Sequence, residues 1–365
     1  MPAKILFTSH TADFAKFNQP LIKLLHDKHC IVHYASAGEK PIPNTDKNFR
    51  VDFARSPFKF SQHVRAYRQI KKITNKGNYD LIHTHTPVGS VLTRLAARQA
   101  RKRGTRILYT AHGFHFYTGA PLSAWLTWYP IEKYCSHLTD AVVTINHEDY
   151  NLAKKRFWGQ TYLMPGVGVD LVKFRSKVST VKKAALRSEL ALEPDDFVII
   201  NVAEINKNKN QKLIINALPQ ILSVKPNVQV LFVGDDKLNG KLQQLAKKLG
   251  VESYVRFLGY RHDLPQLFSI SNLLVAASQR EGLGLNLLEA MAANLPVLAS
   301  DNRGHREVLS SKYLFRNDDI QDLVKKLNQV CTQPAPTFPH KFSLENSLTV
   351  IDKVYRNVLG EKYAK

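Results

Sequence analysis

Cysteine is scarce in this chain. Cys30, Cys135 and Cys331 are the only three in 365 residues, odd in number and far apart, which excludes both a disulfide framework and a zinc-ligand spacing and implies reduced thiols. No stretch approaches the ~20 consecutive apolar residues that a bilayer-spanning helix needs. The start, Met1 to Ser9, has one lysine and a short apolar run soon interrupted by Asp13 and Lys16, which reads as a first strand and not a signal peptide. The chain is therefore expected to stay in the cytosol. Internal repeats and low-complexity tracts are lacking as well. Acidic residues are few, 30 Asp/Glu against 52 Lys/Arg, for a net charge of +22. Residues 1–170 carry 24 of the basic and 11 of the acidic residues, so the first half holds most of the excess. An anionic partner follows, whether membrane, nucleic acid or phosphorylated substrate. Nucleic acid ranks last, because helix-turn-helix, zinc and aromatic RNA-binding patterns are missing.

What is present is a soluble α/β rhythm. With 44% hydrophobic and 22% charged residues the chain is globular, and its length suggests two domains. Strand-like runs at Lys4 to Ser9, Cys30 to Ala35, Leu81 to His85, Arg106 to Ala111, Ala141 to Asn146 and Tyr162 to Met164 alternate with helical stretches at Phe14 to Leu25, His63 to Ile73 and Val88 to Arg103. The apolar rhythm lapses through Ser176 to Thr180, a polar segment suited to a linker. It restarts with runs at Phe197 to Ala203, Val228 to Val233, Arg256 to Leu258, Leu273 to Ala277 and Pro296 to Ala299. Two Rossmann-like lobes are expected. Three prolines between Thr332 and Pro339 break structure before a last helix from about Leu344 to Val358.

The most informative run is Ser278-Gln279-Arg280-Glu281-Gly282-Leu283-Gly284-Leu285, continuing through Glu289 to Ala292. It lies between two buried-strand patterns, where an α/β unit collects ligands at the strands' carboxyl ends. Gly282 and Gly284 leave the backbone open to close approach, and amides from Gly284 onward head a new helix whose positive end suits a diphosphate. These residues resemble the signature of the retaining glycosyltransferases of family 4, a Glu-x7-Glu in a Ser-x-x-Glu-Gly-x-Gly-Leu-x-x-x-Glu-Ala-Met-Ala setting. The resemblance spans nearly the whole chain and implies the GT-B fold, two facing Rossmann-like lobes with the active site in the inter-lobe cleft and a C-terminal helix crossing back to the first lobe. The implied division is an acceptor-binding lobe over 1–174, a nucleotide-sugar lobe over 175–340 and the crossing helix over 341–365.

The resemblance assigns Glu281 to the donor sugar and Glu289 to the ribose hydroxyls. Lys209, where a strand ends and a helix begins, matches the family's phosphate lysine. Glu204 stands where the family has an arginine, and Lys207 is the nearby candidate to replace that charge. Gly234-Asp235-Asp236 and Gly259-Tyr260-Arg261 follow strands whose loops hold the base and adjoining phosphate in relatives; Asp236 replaces a second glycine. Asn294 takes a glycine's place just past the motif helix, and asparagine tolerates the left-handed stop. In the first lobe, His112 ends a strand and corresponds to a functional histidine near the donor sugar. His10, His85, His115 and Tyr117 are read as acceptor-side residues. His83 and His85 share a strand face and with His112 sketch a metal site. That reading is set aside because no Asp-x-Asp occurs in the chain, and no metal or other cofactor is expected.

The function implied is retaining transfer of a sugar from a nucleotide donor, UDP-hexose or UDP-N-acetylhexosamine, to a glycan acceptor. Asp80 to Pro87 and Thr110 to Tyr117 resemble bacterial exopolysaccharide or capsule enzymes, whose acceptors are polyprenyl-diphosphate-linked. The same-fold rival, a nucleotide-sugar 2-epimerase, lacks this Glu-x7-Glu context. Two basic helix faces, Arg65/Arg68/Lys72 and Arg94/Arg98/Arg101, are expected to meet an anionic membrane surface and place the protein peripherally on its inner face.

Overall fold

In the computed structural model, which describes residues 2–54, 56 and 58–364, the alternating runs close into two all-parallel sheets. Met1 and Lys365, the ends of the expected first and last segments, lie outside the described residues. The chain divides into two compact units, one of residues 1–168 with 344–365 and the other of residues 169–343. Val169 and Ser343, which begin and end the second unit, are paired in a parallel bridge. The polar segment 176–180 lies inside that unit: residues 176–179 join the helix Leu171–Phe174 to the helix Thr180–Glu189, which Thr180 opens.

The first unit has seven strands, β1 (Lys4–Thr8), β2 (Ile31–Ser36), β3 (Lys47–Arg50), β4 (Leu81–His85), β5 (Arg106–Ala111), β6 (Ala141–Thr144) and β7 (Gln160–Leu163), in the order β3-β2-β1-β4-β5-β6-β7. The order reverses between β1 and β4, so the loops after them part and leave the crevice in which α/β sheets hold ligands. Alternate residues serve opposite faces. Leu6, Ala35, Ile82 and Ile107 pack with Ala66 and Ile70 of the helix Phe60–Gly77, while Phe7 and Tyr34 stack on the other face, with Phe7 also against His83 and His85. The helix Leu344–Leu359 covers that second face: Tyr355 bonds His83 at 2.7 Å, and Asp352 takes Lys28 and Tyr363.

The second unit has six strands, β8 (Phe197–Val202), β9 (Val228–Val233), β10 (Val255–Phe257), β11 (Leu273–Ala276), β12 (Val297–Ser300) and β13 (Leu314–Phe315), in the order β10-β9-β8-β11-β12-β13. Its reversal falls between β8 and β11. Both faces are covered: Val198, Ile200, Leu231 and Val233 enter one core and Ile199, Val230 and Phe232 the other, the near-continuous apolar strand composition of a buried parallel sheet.

Several elements depart from expectation. The helix expected from Phe14 begins as a 3-10 turn over Ala12–Phe17 and restarts as Gln19–Asp27, because Pro20 fits only a first helical turn. The helix expected over Val88 to Arg103 is two, Pro87–Ala96 and Arg98–Lys102, parted at Ala97 where ψ opens to 4°. Asn294 stops the motif helix at φ 58°. Among the described residues no helix is long and apolar enough to cross a membrane.

Candidate functional site

Two loops flank the strand reversal of the second sheet, Ala203 to Asn210 after β8 and Ala277 to Gly284 after β11. Backbone geometry ties them together: the Gln279 amide donates to the Asn208 carbonyl at 2.8 Å, and the Asn208 side chain donates to the carbonyl of Arg280 at 3.0 Å. The first loop is shaped by its own amides. Asn206 Oδ1 accepts from the Lys209 amide at 2.9 Å while its Nδ2 donates to Glu204. This frame aims Lys209 across the gap, its Nζ 2.5 Å from Glu281 Oε1. Burial alone would raise the Glu281 pKa, yet Lys209, backed by the imidazole of His305, more than offsets this and holds it below the ordinary value. Glu281 is thus a carboxylate beside a cation at neutral pH.

Sequence reasoning missed the third side of this site. Asn302, after β12, donates to the Ser278 carbonyl at 2.8 Å and accepts from the amides of Gly304 and His305. That clamp brings Gly304 so near Glu281 that a β-carbon there would lie 2.7 Å from the Glu281 Cβ and 2.8 Å from its carbonyl oxygen. His305 is fully buried, its Nδ1 2.7 Å from the Ser300 carbonyl, which leaves Nε2 buried without a hydrogen-bond partner among the described residues. Burial lowers the His305 pKa despite Glu281. A buried unpaired imidazole nitrogen beside a lysine-carboxylate pair is suited to a polar ligand. The signal in the sequence was only a glycine-histidine pair after a strand.

The other residues expected on the donor side are placed as follows. Gly282 and Gly284 bracket the turn, and Gly284 precedes the helix Leu285–Ala292, which carries Glu289 on a partly exposed position. Two first-turn donors of this helix are already engaged, the Leu285 amide with Leu283 and the Leu287 amide with the Asn286 side chain, so the terminus offers less to a diphosphate than its position implied. Gly234 lets the loop after β9 lie against the loop after β8: a β-carbon there would come 2.1 Å from the Ala203 carbonyl oxygen. Asp235 is exposed, with its carbonyl accepting from the Ile205 amide. Asp236 is spent on its own turn, accepting from the amides of Leu238 and Gly240. Lys207 and Tyr260 are exposed. Arg261 is already paired: Asp263 grips it through two nitrogens, and Glu189, at the end of the helix Thr180–Glu189, adds a third bond.

In the first unit, His112 ends β5 and lies 3.2 Å (Nε2) from Nδ1 of His85, which ends β4. His83 completes the cluster, bonded to Tyr355 and Thr110 at 2.7 Å each. Burial keeps all three imidazoles neutral at physiological pH, with His112 lowered to about 4 and His83 to about 3 and His85 well below its ordinary value. His85 is only 2% exposed, and its Nε2 and the Ser347 hydroxyl are buried and unpaired among the described residues. Both residues line a cavity of about 30 Å³ shared with Thr110 and His112, large enough for one water molecule. His10 sits at the strand reversal, its amide 3.2 Å from Thr86 Oγ1. His115 stacks on Trp128, and Tyr117 accepts from Trp125. Among the described residues no three His, Cys, Asp or Glu side chains converge as metal ligands.

Residues 4–146 match the family model for glycosyl transferase 4-like domains and residues 182–345 that for glycosyl transferases group 1. EpsD of Bacillus subtilis (strain 168), named as a glycosyltransferase, is 42% identical over 341 residues, covering 92% of this chain and 89% of its own. The chain belongs to the family 4-like glycosyltransferases. The Escherichia coli UDP-Gal:α-D-GlcNAc-diphosphoundecaprenol α-1,3-galactosyltransferase is 26% identical over 276 residues, 73% of this chain and 70% of that one. Among solved structures, HepE of Anabaena in complex with UDP and glucose superposes with a TM-score of 0.74 at 19% identity, over 99% of this chain and 97% of its own, which shows the shared GT-B fold.

One correction concerns the glycosyltransferase surface. Arg94 is 1% exposed and bonds Glu132, itself buried, at 2.7 Å beneath the Tyr109 ring. Arg101 is held by Asp140, and the helix break at Ala97 separates Arg94 from Arg98. Arg94, Arg98 and Arg101 therefore form no common basic face. Arg65, Arg68 and Lys72 are all exposed on one helix.

Proposed function

We propose that the protein is a retaining glycosyltransferase that moves a hexosyl or N-acetylhexosaminyl group from a UDP-sugar to a polyprenyl-diphosphate-linked glycan in exopolysaccharide or capsule assembly. The observation that carries this reading is the Lys209–Glu281 pair at the strand reversal of the second sheet, with the unpaired His305 nitrogen beside it. The UDP complex of HepE and the diphosphoundecaprenol acceptor in the name of the E. coli relative support the choice of donor and acceptor class.

Negative charge grows on the departing diphosphate as the glycosidic bond breaks, so a nearby ammonium stabilises the transition state more than the ground state. Lys209 supplies it, assisted by Lys207 and the Gly284 helix terminus; Glu289 holds the ribose and Glu281 orients the sugar, and the family resemblance gives the neutral His112 a catalytic role. The acceptor proton passes to the leaving diphosphate on the same face of the sugar, which retains configuration. Gly234, Asp235 and Tyr260 border the base, and His10, His115 and Tyr117 meet the acceptor. With no Asp-x-Asp in the chain, the positive field comes from the protein, and transfer should survive EDTA.

The enzyme works at the inner face of the membrane. Phe58 and Phe60 are 82% and 73% exposed beside Arg65, Arg68 and Lys72, an apolar wedge flanked by cations that suits an anionic bilayer surface. The deciding experiment incubates the enzyme with a panel of UDP-sugars and a polyprenyl-diphosphate-linked acceptor and reads the product's anomeric proton by NMR. An α-donor should give an α-product; a β-anomeric proton refutes retention. Glu289→Ala should mainly weaken UDP binding and Glu281→Gln mainly lower turnover, and wild-type activity in both variants would refute the donor site.

A further inference from the structure

A second cationic site lies at the opposite, amino-terminal edge of the first unit's sheet. Lys4 opens β1, Lys47 opens β3 and Tyr79 sits just ahead of β4, remote from the carboxyl ends that carry His85 and His112. The helix Phe60–Gly77 adds Gln69, Lys72, Ile73 and Lys76, spaced so that they share one side. These residues line a groove of about 460 Å³, within the roughly 300–1,000 Å³ of small-molecule sites.

Its chemistry is one-sided. Lys4, Lys47, Arg50, Lys72 and Lys76 line it and no carboxylate does. Arg50 is paired with Glu39, but the four lysines have no carboxylate partner among the described residues. The acids on the flanking strands are committed elsewhere: Asp80 accepts from the backbone amide of Lys4 and from Lys362, and Asp46 from the amide of Val32. The helix's C-terminal carbonyls contribute only about half a negative charge. Such crowding of like charge opposes folding unless an anion offsets it.

The floor is constructed. The Tyr79 hydroxyl is 2.8 Å from His33 Nδ1, Lys4 lies 5.4 Å above the Tyr79 ring and Lys47 5.1 Å above Phe49. A β-carbon at Gly77 would come 2.0 Å from the Tyr79 ring, so glycine there is what lets the ring lie across the last helical turn. We propose that this groove binds a phosphate-bearing ligand, its anionic group held by Lys4, Lys47, Lys72 and Lys76 and its less polar part resting on Phe49, Ile73 and Tyr79. A free phosphorylated small molecule and an anionic phospholipid headgroup present the same chemistry. The proposal is independent of the sugar-transfer reading.

The test titrates the full-length protein with inorganic pyrophosphate by calorimetry under saturating UDP, which occupies the donor site. It compares wild type with Lys47→Gln/Lys76→Gln, two exposed groove positions outside the Arg65/Arg68/Lys72 face. Pyrophosphate affinity should fall at least about tenfold, and Gly77→Ala, which leaves charge untouched, should also weaken it. Flotation with 3:1 phosphatidylcholine:phosphatidylglycerol vesicles identifies the source: vesicle binding weakened in the double variant assigns a lipid headgroup, and unchanged vesicle binding with lost pyrophosphate binding assigns a free ligand. A double variant equal to wild type in both arms overturns the proposal. Failure of UDP to bind would count against the donor site alone, since the variant comparison does not depend on it.

Discussion

The Lys209 ammonium and the Glu281 carboxylate, contributed by two different loops, meet at 2.5 Å with His305 beside them. The pair links the candidate site to stability. Removing Lys209 leaves a largely buried carboxylate with its main partner gone, so the Glu281 pKa should rise in Lys209→Met. Because the folded-state pKa is depressed in the wild type, the pair's contribution is present above the unfolded value near 4.5 and is lost as pH falls through the lower folded value. Thermal melts should show Lys209→Met less stable than wild type at pH 7 but with a shallower loss between pH 7 and 3, because the depressed carboxylate that drives this part of the loss is gone, and turnover should drop about a hundredfold or more. Superimposable acid limbs would refute the coupling.

Gly304 tests the same site without touching charge. An alanine methyl would overlap the Glu281 backbone, which cannot rotate away, so Gly304→Ala should destabilise by about 1–3 kcal/mol and displace the Glu281 carboxylate. The expected result is a fall in kcat well beyond the change in UDP affinity. A fully active, equally stable variant would place Gly304 outside the site.

The three neutral histidines predict acid sensitivity of the first unit. Their folded pKa values lie below the ordinary 6.5, about 4 for His112 and about 3 for His83, so the unfolded chain binds more protons. Stability is therefore full above pH 6.5 and declines as pH falls toward 4. His83→Gln, which cannot titrate, should be less stable at pH 7.5 through its altered bonds to Tyr355 and Thr110, yet show a shallower decline. An identical pH slope in wild type and variant would mean that His83 does not contribute.

The strand-loop-helix unit that holds Glu281, Gly282, Gly284 and Glu289 was legible in the sequence because two buried strand patterns and the glycines between them bound it, with the helix over Leu285–Ala292 following as expected. Strands β4 and β5 were read at their true limits because both are buried throughout or nearly so. β3 was not read, since three of its four residues are exposed and carry no apolar period. His305 escaped because a separate loop brings it to Glu281, and only the sheet order makes those loops neighbours. Arg94 was misassigned for a related reason: periodicity shows which residues share a face, but not whether that face meets water or another helix.

Arg94 makes the point measurable. Its partner Glu132 is 3% exposed at the side chain, so Arg94→Met strands a buried carboxylate and should cost about 3–5 kcal/mol in urea unfolding. Replacing both, as Arg94→Met/Glu132→Leu, removes the unpaired charge and should recover most of that loss. A double variant no better than the single would show that packing against Tyr109, and not charge pairing, sets the cost.

Membrane adsorption separates this buried arginine from the exposed ones. Arg65, Arg68 and Lys72 lie three and four residues apart on the helix Phe60–Gly77, and the one ion pair among them in the described residues, Arg65 with Asp52 at 3.1 Å, is itself solvent-exposed and holds the side chain only weakly. Each cation near an anionic surface contributes roughly 1 kcal/mol, decaying within a Debye length, so the three together amount to about a hundredfold in partitioning. Phe58, Phe60 and Val64 add an apolar contribution that salt does not screen. Binding to phosphatidylglycerol vesicles should therefore weaken as salt rises but not vanish. Arg65→Glu/Arg68→Glu/Lys72→Glu should abolish the salt-sensitive part, and Phe58→Ser/Phe60→Ser should remove the residue that persists at high salt. Neither change touches the second unit, so UDP affinity should hold in both variants. Absence of vesicle binding by the wild type at low salt would mean that the acceptor is met in solution, and the peripheral-membrane reading would fall.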